Sequence, residues 1–215
     1  MRNTLLKLIL GGIGILMAGS IYAQVDQFSS WTGVKVSYGI TSRLKASGHM
    51  EFRSKDNFKE ADRLGITLGL NYKMNSWLRV KGSYEFHYRN VSGGPWKARN
   101  RYKVGATGSV AWNEVKFSLR ELFQETFFRG EVENRLRSRL KVSYEPEKWL
   151  VKPYYSTELY QPIGDDAFFT AARIRYRPGV VIAFSKQYAL DVFYCRQYEP
   201  KGSRNIVGLE FQLSF

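Results

Sequence analysis

From Phe28 onward the chain alternates apolar and polar residues with a period of two, in stretches too long for an ordinary soluble sheet. Eleven segments can be marked out, bounded by Gly, Asn, Asp, Lys or Pro. They are Phe28 to Tyr38, Ser42 to Ser54, Ala61 to Lys73, Trp77 to Asn90, Lys97 to Ala111, Val115 to Phe127, Glu131 to Glu145, Trp149 to Tyr160, Phe168 to Phe184, Tyr188 to Tyr198 and Asn205 to Phe215. In Trp77 to Asn90 one face carries Leu78, Val80, Gly82, Tyr84, Phe86 and Tyr88, and the other carries Arg79, Lys81, Ser83, Glu85, His87 and Arg89. A soluble sandwich would bury the apolar face in a thin core; a membrane barrel turns it to lipid and points the charges into a wet lumen. Length decides, because soluble strands are most often about 5 to 6 residues long while a tilted spanning strand needs about 9 to 11 in hydrocarbon. Trp112, Trp149 and Tyr188 flank short turns, where an interfacial aromatic girdle belongs. The expected fold class is therefore all-β, a transmembrane antiparallel up-and-down barrel of about 10 to 12 strands.

The two ends of the chain point the same way. Arg2 and Lys7 precede or begin the apolar run Leu8 to Ala18, and Ser20-Ile21-Tyr22-Ala23 follows it. That order reads as a secretory signal peptide over residues 1–23, cleaved after Ala23, because the run is shorter than the about 20 residues of a spanning helix. Residues 24–215 are then the barrel domain. At the far end Val207, Leu209, Phe211, Leu213 and Phe215 share one face. Phe211, Leu213 and the closing Phe215 resemble the C-terminal signal by which gram-negative cells recognise outer-membrane barrels. The resemblance implies the barrel-assembly machinery as a partner, and an address in the outer membrane among its lipid and lipopolysaccharide.

Connection lengths carry an expectation of orientation. Gly39 to Thr41, Met74 to Ser76, Trp112 to Glu114, Pro146 to Lys148 and Ser185 to Gln187 are short; Lys55 to Glu60, Val91 to Trp96, Gln161 to Ala167 and Glu199 to Arg204 are longer. Short turns face the periplasm and long loops the outside in such barrels, and two periplasmic termini require an even number of strands. Eleven segments conflict with that. Either Phe28 to Tyr38 lies in the lumen or pairs irregularly, leaving ten, or Phe168 to Phe184 merges two strands at Pro178-Gly179, making twelve.

Charge narrows the chemistry. Without Arg2 and Lys7 the chain holds 31 Lys and Arg against 19 Asp and Glu, a formal +12. In an exported protein this does not indicate nucleic acid. The lone Cys195 has no disulfide partner and reads as a buried or lumenal side chain. His49 and His87 are the only histidines, each near a glutamate (Glu51, Glu85), but two histidines without a compact carboxylate set do not make a zinc signature, and neither a phosphate-binding glycine loop nor a nucleophile elbow occurs. Ser83, Glu85 and His87 share a face, but residues four apart on a strand stand about 13 Å apart, so the three are not expected to join. Asp165-Asp166 reads as a solvated loop tip. Neither a metal nor a cofactor is expected.

What stands out is the inward charge. Arg79, Lys81, Arg89, Arg99, Arg101, Arg135, Arg137, Arg139, Arg173, Arg175 and Arg177 fall on polar faces with Glu85, His87, Glu133, Glu158 and Glu210. Cations outnumber acids, so pairing cannot neutralise the lumen. The leading expectation is a small channel or solute-binding barrel favouring anionic solutes. A side-chain-filled structural or adhesive barrel without transport is the alternative, and a lipid-modifying enzyme using His87 or His49 is a lesser one.

Several short stretches together resemble a family of outer-membrane proteins known as "domain of unknown function 2490". They are Ser30-Trp31-Thr32-Gly33, Glu51-Phe52-Arg53, Glu133-Asn134-Arg135-Leu136-Arg137, the strand from Tyr155 to Glu158, and the aromatic end. The resemblance spans Gln24 to Phe215. It implies a small barrel and supplies no catalytic residues.

Overall fold

The computed structural model describes residues 27–90, 95–164, 170–200 and 202–215; the expected leader and Asp165-Asp166 lie outside the described residues. Every regular element among them is a strand. In chain order these are β1 (Gln27–Gly39), β2 (Leu44–Lys55), β3 (Glu60–Lys73), β4 (Leu78–Asn90), β5 (Trp96–Trp112), β6 (Val115–Phe128), β7 (Glu131–Tyr144), β8 (Val151–Ile163), β9 (Arg173–Ala183), β10 (Tyr188–Glu199) and β11 (Gly202–Ser214). Each lies antiparallel to the next, and the barrel closes where β1 pairs in parallel with β11, from Gln27 opposite Arg204 to Ser37 opposite Ser214.

The count is eleven, one strand per alternating segment. Neither escape from the parity conflict is used: β1 lies in the wall, and β9 runs unbroken through Pro178-Gly179. An odd number of strands, each antiparallel to the next, leaves the first and last pointing the same way, and a parallel ladder satisfies both edges. Gly179 serves packing rather than a turn, since a Cβ there would lie 2.6 Å from the Tyr154 ring.

Connection lengths do not sort the two rims as expected. β6 and β7 meet through Arg129-Gly130, whose φ angles of 52° and 82° make a tight primed turn, and Glu199 already pairs with Gly202. The six residues from Glu145 to Leu150, on the rim expected to be short, are longer than either.

Burial is inverted relative to a soluble protein. Leu64, Leu68, Val104 and Leu140 are more than half exposed on the outer face, while Arg63, Glu85, His87, Glu158, Arg175 and Asp191 are buried inside. One irregularity re-aims a residue. The β2–β3 register shifts between Arg53 and Ser54, so Asp62 is an extra residue and both Asp62 and Arg63 are buried, which strict alternation forbids.

Candidate functional site

The inward side chains of β1 to β9 join into a belt around the lumen. Arg63 on β3 bridges two carboxylates, Glu85 on β4 and Glu51 on β2, the latter at 2.5 Å. Glu51 also takes Arg53 at 2.8 Å, and the Arg53 guanidinium lies 4.0 Å over the Trp31 ring of β1. Arg175 approaches the same ring to 4.7 Å from β9, so Trp31 is held by two guanidiniums and the contact passes over β10 and β11. Arg175 donates to the Tyr160 hydroxyl, which donates to Glu158 at 2.8 Å. Arg137 reaches Glu158 at 3.0 Å and Gln124 at 3.1 Å. Gln124 contacts Thr126 at 3.3 Å, Arg101 donates to Thr126 at 3.0 Å and to Glu85 at 2.9 Å, and the circuit closes.

Two carboxylates are its hubs. Glu85 carries Arg63, Arg101 and Lys103; Glu158 carries Arg120, Arg137, Tyr160 and, at 3.7 Å, Arg175. Charged donors around one carboxylate make strong bonds in a site shielded from water, and their geometry is fixed by the strands that carry them. Beside the belt, Arg177 binds Asp191 at 2.7 Å and the Tyr154 hydroxyl at 2.9 Å while lying 3.5 Å over Phe193. His49 reaches from β2 to Glu210 on β11 at 3.2 Å by passing over Gly33, where a Cβ would sit 2.8 Å from its Nε2.

A cavity of about 340 Å³ remains, and fifteen Lys and Arg but only seven Asp and Glu line it. Among the described residues no three His, Cys, Asp or Glu side chains gather as metal ligands. The lining includes Lys81, Glu85, His87, Arg89, Arg99, Arg101, Glu133, Arg135, Arg137, Arg139, Glu158, Arg173, Arg175, Arg177 and Glu210. Arg79 shares their strand face but lies exposed at the end of β4, outside the lining. Of the three face-mates on β4, His87 approaches Glu85, its Nδ1 lying 3.1 Å from Glu85 Oε1 without hydrogen-bond alignment because a long side chain spans the two-residue repeat, while Ser83 Oγ has no hydrogen-bond partner, so the three do not join.

The family model described as "Protein of unknown function (DUF2490)" matches residues 28–207. The chain belongs to this family. Among solved structures, this DUF2490 barrel resembles LpxR from Salmonella typhimurium, with a TM-score of 0.56, 10% identity, and 84% of this chain and 87% of that one covered. A second match is the translocator domain of autotransporter NalP from Neisseria meningitidis, with a TM-score of 0.47, 13% identity, and 78% and 72% covered. No curated protein matches the sequence. The resemblance to LpxR is one of fold, and the architecture is that of the outer-membrane barrels.

Several members of the DUF2490 belt are not among the residues picked from sequence as lumenal candidates. Trp31, Tyr160, Gln124 and Thr126 carry no charge, and Arg120 stands on a strand whose alternation is blurred. A signal for Trp31 exists: it begins the Trp-Thr-Gly stretch that supports the family resemblance, on the inward face of β1 opposite Arg53.

Proposed function

We propose that this DUF2490 barrel sits in the outer membrane and takes small anionic solutes into its lumen, with the belt as the constriction. The observation that carries the reading is the lining of fifteen cations against seven carboxylates around a cavity of about 340 Å³. After each carboxylate is shared, guanidinium nitrogens remain buried without partners, among them Nε of Arg99, Arg120, Arg137 and Arg139. Such groups in a low-dielectric cavity attract anions and repel cations. Of the two histidines, His87 is sealed at 1% exposure, and His49 pairs with Glu210 at 3.2 Å.

The belt favours a second reading, a barrel filled by its own side chains. Purified protein in planar bilayers separates the two. The expected result is an anion-selective conductance that weakens as salt screens the lumen, or, without opening, saturable binding of small anions that quenches or enhances Trp31 fluorescence and is lost in Trp31→Phe. Cation preference, or neither conductance nor binding, overturns the proposal. Location is tested by fractionation, with the protein expected in the outer-membrane fraction and migrating differently before and after boiling in detergent; a soluble, heat-insensitive protein overturns it.

A further inference from the structure

Below the belt, on the side of the β3–β4, β5–β6 and β7–β8 connections, three cations converge with too little negative charge. Arg120 on β6 stands directly opposite Arg139 on β7, a like-charge cross-strand pair that is unfavourable by itself. Arg139 is also paired in register with Glu158 on β8, yet forms no salt bridge or hydrogen bond with it. The two oxygens of Glu158 are already taken by Arg120, Arg137, Tyr160 and Arg175. Nε of Arg120 and of Arg139 are both buried without a hydrogen-bond partner. Lys81 approaches from β4 and feels Arg120 and Arg139 across β5. Its partner on β5 is Gly105, which adds no side chain between them. Among the described residues, no ion pair or hydrogen bond reaches the side chain of Lys81 or of Arg139.

We propose that Lys81, Arg120 and Arg139 form a subsite for a phosphate-class dianion, either free phosphate or the phosphoryl end of a small ester. This subsite rests on the anion-accepting lumen proposed above and names the group that lumen accepts. Two guanidinium forks on adjacent strands match the edges of a tetrahedral oxyanion, and the ammonium adds a point charge from a third side. A monoanion would leave most of the surplus uncompensated. A dianion lies between Arg120 and Arg139 and turns their repulsion into shared attraction, while Glu158 holds Arg120 in place.

The test measures binding of inorganic phosphate and of glycerol phosphate to the full-length folded barrel in detergent, by calorimetry near neutral pH, where dianionic phosphate and a charged Lys81 ammonium coexist. Both are expected to bind, and acetate to bind at least about tenfold more weakly. Arg139→Gln and Lys81→Gln should each weaken phosphate binding by about tenfold or more, the worth of one charged hydrogen bond. Arg79→Gln, on the same face but at the exposed rim, should leave it unchanged. Heat-dependent migration confirms that each variant is folded; if Arg139→Gln does not fold, Arg139→Lys with Lys81→Gln carries the test, since neither empties a strand of charge. If the wild type binds no anion at all, the reading of the lumen fails. If it binds phosphate and both glutamine variants bind it equally well, only the subsite fails. Binding of the ester without inorganic phosphate also overturns the subsite, because recognition then lies outside the three cations.

Discussion

Glu158 and Glu85 organise the lumen out of proportion to their number. Each is buried and each gathers at least three cationic groups, so removing the charge strands several guanidiniums in a space where water is scarce. Glu158→Gln is expected to lower the stability of the folded barrel by about 3 kcal/mol, read as a shift in the midpoint of urea unfolding with unchanged slope. Glu133→Gln removes a carboxylate whose side chain is 48% exposed and whose ion pair among the described residues is with Arg135, so its cost should stay below about 1 kcal/mol. A Glu158→Gln barrel as stable as the wild type would mean that the hub is not structural. At this scale the sequence was informative where charge and strand face coincide. Arg137, Arg175 and Glu158 are legible because each is a charge set beside an apolar residue, Leu136, Ile174 and Leu159, on the opposite face. Asp62 is not, because the bulge that turns it inward leaves no mark in the alternation; Trp31 and Tyr160 are not, because an aromatic residue reads as lipid-facing until the guanidinium beside it is seen.

Among the elements, β6 is a strand on which alternation fails, with a cost that can be measured. Its outward face runs Phe117, Leu119, Glu121, Phe123, Glu125 and Phe127, and its inward face holds Arg120, Leu122, Gln124 and Thr126, so carboxylates interrupt the outward face twice and a leucine interrupts the inward one. Leu122 is buried against Gly105, where a Cβ would meet the β6 backbone, and this close packing is why an apolar side chain is tolerated in the lumen. Glu121 lies seventh of the fourteen residues of β6, exposed on the outer face, and accepts a hydrogen bond from Ser138 at 2.6 Å. A carboxyl at that depth is costly in lipid, so Glu121→Leu is expected to stabilise the barrel by about 1 kcal/mol in bilayers. Its neighbour in the same band gives the opposite sign: Leu140, paired with Leu119, should cost about 2 to 4 kcal/mol when replaced by Arg. Equilibrium unfolding into liposomes measures both, and a neutral Leu140→Arg would show that this face does not meet hydrocarbon. The strand segments were readable to within a few residues; on β9 the strand starts at Arg173, while Phe168 and Phe169, where the alternating segment begins, lie outside the described residues. The pattern of faces carries no information on where hydrogen bonding to Tyr160 and its neighbours starts.

For the whole molecule, closure is what alternation could not predict, because the period that defines each strand is silent on which strand meets which. The sequence shows eleven segments, and the even-number expectation turns that into a conflict; the parallel β1–β11 ladder resolves it without a twelfth strand or a displaced first one. The seam is held at several heights. Gly39 donates to the Phe215 carbonyl at 2.8 Å, Phe215 donates to Ser37 at 2.9 Å, and His49 bridges past β1 to Glu210. On β11, Gly208 leaves room for the Phe193 ring, which covers the site a Cβ would occupy beside Trp31. This closure predicts a specific cross-link. Val34 and Phe211 are register partners, both exposed on the outer face, and adjacent strands place Cα atoms within disulfide range. In a Cys195→Ser background, Val34→Cys with Phe211→Cys should oxidise to a bond that joins the two ends of the sheet, seen as altered migration after boiling without reductant and abolished by reductant. Met50, the partner of Val34 on β2, provides the contrast. Were β1 displaced into the lumen and the barrel closed by β2 against β11, Met50→Cys with Phe211→Cys would cross-link in its place, and the Val34 pair would remain reduced.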